Sequence, residues 1–68
     1  MEITVNHISE VIENRTTITI SELLRYKNFT YKMIIIKLNG NVVKREEGDS
    51  IIVSHGDNVQ VIHLMTGG

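Results

Sequence analysis

Two glycines, Gly67 and Gly68, stand last in the sequence, after Leu64-Met65-Thr66. Glycine has no Cβ, so such a pair can run extended and slim, free enough to thread a terminal carboxylate into a narrow site on another protein. Read as the C-terminus, Gly68 carries the one functional group of the chain that sits on a mobile arm, its α-carboxylate. A terminal diglycine arises by chance in about 0.5% of chains at ~7% glycine usage, and a frayed end of small residues is its plainer explanation. Composition alone leaves both open.

The other reactive side chains offer less. His7, His55 and His63 fall in three separate segments with no i, i+4 pair, and the chain has no cysteine, so a metal site is not expected. Ser54-His55-Gly56-Asp57 holds the letters of a hydrolase triad, but a triad needs side chains converging from separate segments, and four neighbours in one tight turn read as turn chemistry. Arg45, Glu46, Glu47 and Asp49 read as a solvated charged run that can steer a partner rather than as an acid-base pair. Lacking cysteine, the domain needs no oxidising compartment. The opening MEITVNHISE has neither the positive charge nor the apolar run of a secretory signal, so a cytoplasmic location is expected.

The elements that must position the tail are few. Sixty-eight residues allow one small domain, and 41% hydrophobic with 22% charged residues is the balance of an ordinary globular one. Seven Lys and Arg against eight Asp and Glu leave no positive excess to neutralise a phosphate backbone, so nucleic acid is not an expected partner. No apolar run approaches the ~20 residues of a membrane-spanning helix, so no membrane partner is expected either. Alternation in Glu2-Ile3-Thr4-Val5-Asn6 predicts a half-buried strand with Ile3 and Val5 inward. A turn near Asn6-His7 leads to a second strand over 8–13, and the polar stretch Asn14 to Thr17 reads as a connection. Thr19-Ile20-Ser21-Glu22 matches a capping box and predicts a helix from Ile20 to Tyr26 or Lys27, apolar along Ile20, Leu23 and Leu24. Residues 28–32 read as loop, and Met33 to Leu38 as an interior strand. Asn39-Gly40 predicts a type I′ turn into Asn41-Val42-Val43. A short strand is expected over Ser50 to Val53, then a turn at His55-Gly56-Asp57.

The last strand alternates through Asn58-Val59-Gln60-Val61, but Ile62-His63-Leu64-Met65 then places apolar side chains on both faces. Ile62, Leu64 and Met65 therefore form a candidate docking surface, since contiguous exposed apolar groups on a small domain often mark a partner. The alternative is that a bulge near the strand end turns Ile62 or Leu64 into the core. The order β-β-α-β-(β)-β predicts an α+β fold whose helix is just long enough for one crossover between parallel strands.

This order and the ending Leu64-Met65-Thr66-Gly67-Gly68 resemble the ubiquitin-like β-grasp sulfur carriers, most of all the ThiS type of thiamine biosynthesis. The resemblance is carried by an MxIxVN opening at Met1 to Asn6, a T-[IV]-x-E-L-L helix start at Thr19 to Leu24 and an L-N-G-x-[IV]-V turn at Leu38 to Val43. The Arg45-Glu46 pair and a G-D-x-[IV]-x-[IV] strand entry at Gly56 to Val61 complete it. Spacing runs without a gap from Met33 to Gly68, while the N-terminal half has a longer link before the helix and a shorter one after it. Where the family usually has proline this chain has Lys44, where it has a bulky residue this chain has Gly48, and Asn14-Arg15 replaces a link glycine.

The resemblance implies a mixed four- to five-stranded β-grasp sheet with one helix on one face, a domain over 1–66 and a diglycine tail at 67–68. It implies a co-substrate rather than an enzyme, with no bound cofactor. A ThiF-like adenylating enzyme would use ATP to activate the Gly68 carboxylate, and sulfide equivalents from a sulfur-donor protein would replace AMP to leave a thiocarboxylate. Thr66 and Gly67 would form the threading tail. Thiazole synthase of the ThiG kind would then take the sulfur. A molybdopterin-synthase small-subunit role, whose members tend to be longer, and a noncovalent β-grasp interaction module with an inert tail are the alternatives.

Overall fold

The structure, a computed structural model, describes residues 1–64. Strand β1, Glu2–Val5, buries Ile3 and Val5 as its alternation predicts. It turns back on β2, Ile8–Val11, through Asn6 and His7, whose φ values of 51° and 68° are those of a two-residue hairpin loop. The predicted second strand ran to Glu13. It stops at Val11, although Ile12 still donates its N–H to the Met1 carbonyl at 2.8 Å and is buried.

The sequence places Thr17 in a polar connection, but Thr17–Thr19 is a strand, β3, paired antiparallel with β6, Ile52–Ser54. Three residues between a polar stretch and the helix are too few to carry a periodic signal of their own. Their strand state comes from Val53, more than thirty positions away, which pairs with Ile18 and is buried beside it. Strand β6 is correspondingly displaced from the predicted 50–53.

Helix α1, Ile20–Tyr26, starts where the capping box predicts: Thr19 Oγ1 accepts from Glu22 N–H at 3.1 Å, and Glu22 Oε1 accepts from Thr19 N–H at 3.0 Å. It ends because Asn28 takes φ 58°, so that Asn28 N–H reaches the Arg25 carbonyl and Phe29 N–H the Leu24 carbonyl at 3.1 and 2.8 Å, the paired bonds of a Schellman cap. Ile20, Leu23 and Leu24 point into one core with Ile3, Val5, Ile12, Ile18, Ile36, Val53, Val59 and Val61.

Strand β4, Ile34–Leu38, joins β5, Asn41–Val43, through Asn39 and Gly40 at φ 51° and 86°, the predicted type I′ signature. A single 3-10 turn, Arg45–Glu47, and β6 lead to β7, Asn58–His63. The main sheet runs β2-β1-β7-β4-β5, mixed and five-stranded, with β1 and β7 parallel and the other pairs antiparallel. The helix covers one face, as the shared core shows. The α+β β-grasp architecture expected from the sequence is the one observed. Among the described residues no helix is long and apolar enough to cross a membrane.

Candidate functional site

The strand that leads to the tail is the middle strand of the sheet. Its pairing with β4 runs unbroken from Leu38↔Val59 to Ile34↔His63, and Leu64 adds one more bond, its N–H donating to the Met33 carbonyl at 3.0 Å. No bulge interrupts this register, so the bulge that would have turned Ile62 or Leu64 inward is absent from β7. On its other side β7 outruns its neighbour. The pairing with β1 ends at Val5↔Val59, and Asn6 takes over, donating its N–H to the Val59 carbonyl at 2.9 Å and accepting from Val61 N–H through Oδ1 at 2.8 Å. Beyond Val61, among the described residues, only β4 flanks the strand.

Alternation along β7 buries Val59 and Val61 and turns Gln60, Ile62 and Leu64 to the face away from the helix. Ile62 is 40% and Leu64 38% exposed. Ile35, half-buried, lies opposite Ile62 across the β4 pairing, and Met33, whose carbonyl Leu64 binds, is exposed. Lys37 sits between Gln60 and Val42 in the adjoining row. The sheet thus presents an apolar surface edged by amide and ammonium groups beside the start of the tail. Two of the three predicted docking residues, Ile62 and Leu64, lie on it. Met65 and the tail residues Thr66, Gly67 and Gly68 lie outside the described residues.

The remaining candidates have structural positions. Asp57 closes its turn, one carboxylate oxygen accepting from Ser54 N–H at 2.8 Å and the other from the Asn39 side-chain amide at 3.1 Å, while Gly56 takes φ 88°. His55 Nδ1 accepts from Glu2 N–H at 3.0 Å. His7 and Gln60 meet through their side chains at 3.3 Å, and His63 stacks on Tyr31. Among the described residues no three His, Cys, Asp or Glu side chains gather as a ligand set. The charged run is exposed, but Arg45 does more than face solvent: its guanidinium donates to the Tyr31 carbonyl at 2.6 Å and the Lys32 carbonyl at 3.3 Å. Sequence reasoning missed this bridge, and the only hint was the Arg45-Glu46 pair. A cleft of about 330 Å³ lies between the helix and this turn, lined by Ser21, Leu24, Arg25, Phe29, Thr30 and Arg45; neither Ile62 nor Leu64 borders it.

One carboxylate at the helix start is held off its ordinary range. Glu22 is held below the usual carboxylate range, first by the Thr19 backbone N–H and then by the Arg15 guanidinium, whose two terminal nitrogens each lie 3.2 Å from one of its oxygens. Lys27 pairs with Glu10 across the helix and β2.

The model of the ThiS family matches residues 1–68. The crystal structure of a thiamine biosynthesis protein (ThiS) from Geobacter metallireducens superimposes with TM-score 0.89 at 30% identity, covering 100% of both chains. A solution structure of a thiamine biosynthesis protein from the same organism gives TM-score 0.79 at 30% identity, covering 100% of this chain and 88% of that one. An uncharacterized protein, ycf40, from Trieres chinensis is 23% identical over 52 residues, 76% of this chain and 71% of the other.

Proposed function

The chain belongs to the ThiS family, and from that membership we propose that it is a sulfur carrier protein of thiamine biosynthesis, acted on by partner enzymes rather than itself a catalyst. The observation that carries this reading is the match of the family model over residues 1–68, joined by full-length superposition on the Geobacter metallireducens protein.

In finer terms, the Gly68 carboxylate attacks the α-phosphate of ATP in a ThiF-like adenylating enzyme, releasing pyrophosphate and leaving an acyl adenylate. A sulfide equivalent from a donor protein displaces AMP at the acyl carbon, and the C-terminus becomes a thiocarboxylate. Thiazole synthase of the ThiG kind then receives the sulfur. Residues 67–68 act as the threading tail of a domain over 1–66, with Thr66 at their junction. The exposed Ile62 and Leu64, continued by Met65, seat the domain on the adenylating enzyme. That seating is supported by the apolar outer face beside the end of β7.

Incubation with ATP, a ThiF-like enzyme and a sulfide source, followed by intact-mass measurement, tests the proposal. One oxygen should be exchanged for one sulfur, and deletion of Gly68 should abolish the change. Unchanged mass with several competent adenylating enzymes, together with retained partner binding after deletion of Gly67-Gly68, would overturn it in favour of a noncovalent module.

A further inference from the structure

The end of β7 is held by more than its ladder. After Val61 the strand has lost β1, so among the described residues it is paired with β4 alone, through Ile62, His63 and the Leu64–Met33 bond. His63, the last residue of the strand, supplies a second hold from its side chain: its ring lies on that of Tyr31 with centroids 4.0 Å apart and planes inclined by 17°. Tyr31 is itself anchored twice. The Arg45 guanidinium binds its carbonyl at 2.6 Å, and its ring faces Phe29 at 6.5 Å. Phe29 in turn packs against the core and closes the Schellman cap of the helix.

We propose that Tyr31 is a positioning residue, clamping His63 so that the end of β7, up to Leu64, is held in one conformation when the modifying enzyme binds. The function assigned to the clamp rests on the carrier reading above. The physical basis is pre-organisation: a strand end already held in one conformation has less freedom to lose on docking. Tyr31 is 46% exposed and outside the core, so its ring is not required to fill the interior. Its place is explained by the stack on His63. A stack of this kind favours the ring-on-ring arrangement about two- to tenfold over the separated rings.

The test uses the full chain as Tyr31→Ala and Tyr31→Phe. In Tyr31→Ala the amide exchange of Leu64 should quicken about two- to tenfold, while that of Leu23 in the helix stays unchanged and shows the fold intact. In the adenylation assay the KM for this protein should rise by a similar factor with kcat unaltered. Tyr31→Phe, which keeps the ring, should restore both. Unaltered Leu64 exchange and KM in Tyr31→Ala, or failure of Tyr31→Phe to restore them, would overturn the clamp. If the unsubstituted chain is not adenylated at all, it is the carrier reading that falls, and the exchange measurement still decides whether the stack holds the strand end.

Discussion

Leu64 carries the docking proposal at the level of a single side chain. It is 38% exposed on the face opposite the helix, beside Met33 and one alternation step from Ile62. Truncating or charging an anchor in the middle of an interface costs binding energy, whereas a surface change away from the core leaves stability within about 0.5 kcal/mol. Leu64→Asp is therefore expected to weaken the complex with the adenylating enzyme about tenfold or more by titration, with the melting temperature nearly unchanged. A large fall in melting temperature would place Leu64 among the residues the fold needs. The same scale bears on Gly48, where the family usually has a bulky residue: a Cβ there would come 2.6 Å from Ser21 Oγ and 3.1 Å from the Arg45 carbonyl, so a side chain would require the serine hydroxyl to rotate and the turn to give by a few tenths of an ångström.

At the level of the element, the helix depends on its first turn, because seven residues are too few to form a stable helix in isolation. Glu22 closes the capping box as a carboxylate, and its pKa is lowered by the Thr19 N–H and by Arg15. A lowered folded pKa means that the contribution is present above the ordinary value of 4.5 and is lost as pH falls through the lowered one. Denaturation midpoints measured down a pH series should decline below about 4.5, and Glu22→Gln, which can still accept the N–H but does not titrate, should flatten that decline. A slope unchanged by the substitution would assign the acid sensitivity to other carboxylates. The capping box was fully legible because both of its partners lie within four residues. So was the Asn39-Gly40 turn, whose residue types tolerate positive φ. Asn6-His7 adopts a similar positive-φ backbone with a weaker signal, since histidine enters that region less readily than glycine.

At the level of the whole molecule, the fold is tied by pairings between distant segments: β1 against β7, β3 against β6, with Leu23 fully buried beneath them. A domain of this length has roughly 3–10 kcal/mol of net stability, and removing a buried leucine side chain costs about 2–5 kcal/mol. Leu23→Ala should therefore lower the urea midpoint substantially, with fluorescence and circular dichroism moving together because one core joins helix and sheet. Separated transitions would show that helix and sheet do not melt as one unit.

Local chemistry and pattern were enough to determine much of this protein: the inward faces of Ile3 and Val5, both ends of the helix to within a residue, the Asn39-Gly40 hairpin, and the motifs that pointed to the ThiS family. Each of these signals is complete within a few residues of chain. What only the tertiary structure decided is what depends on a distant partner. Thr17–Thr19 became a strand through β6, β7 took the centre of the sheet, and its unbroken register with β4 turned Ile62 and Leu64 outward where sequence left a bulge equally open. The Arg45 bridge and the Tyr31–His63 stack belong to the same class. Period-2 alternation states that two faces differ, but register across strands far apart in sequence decides which side chains each face presents.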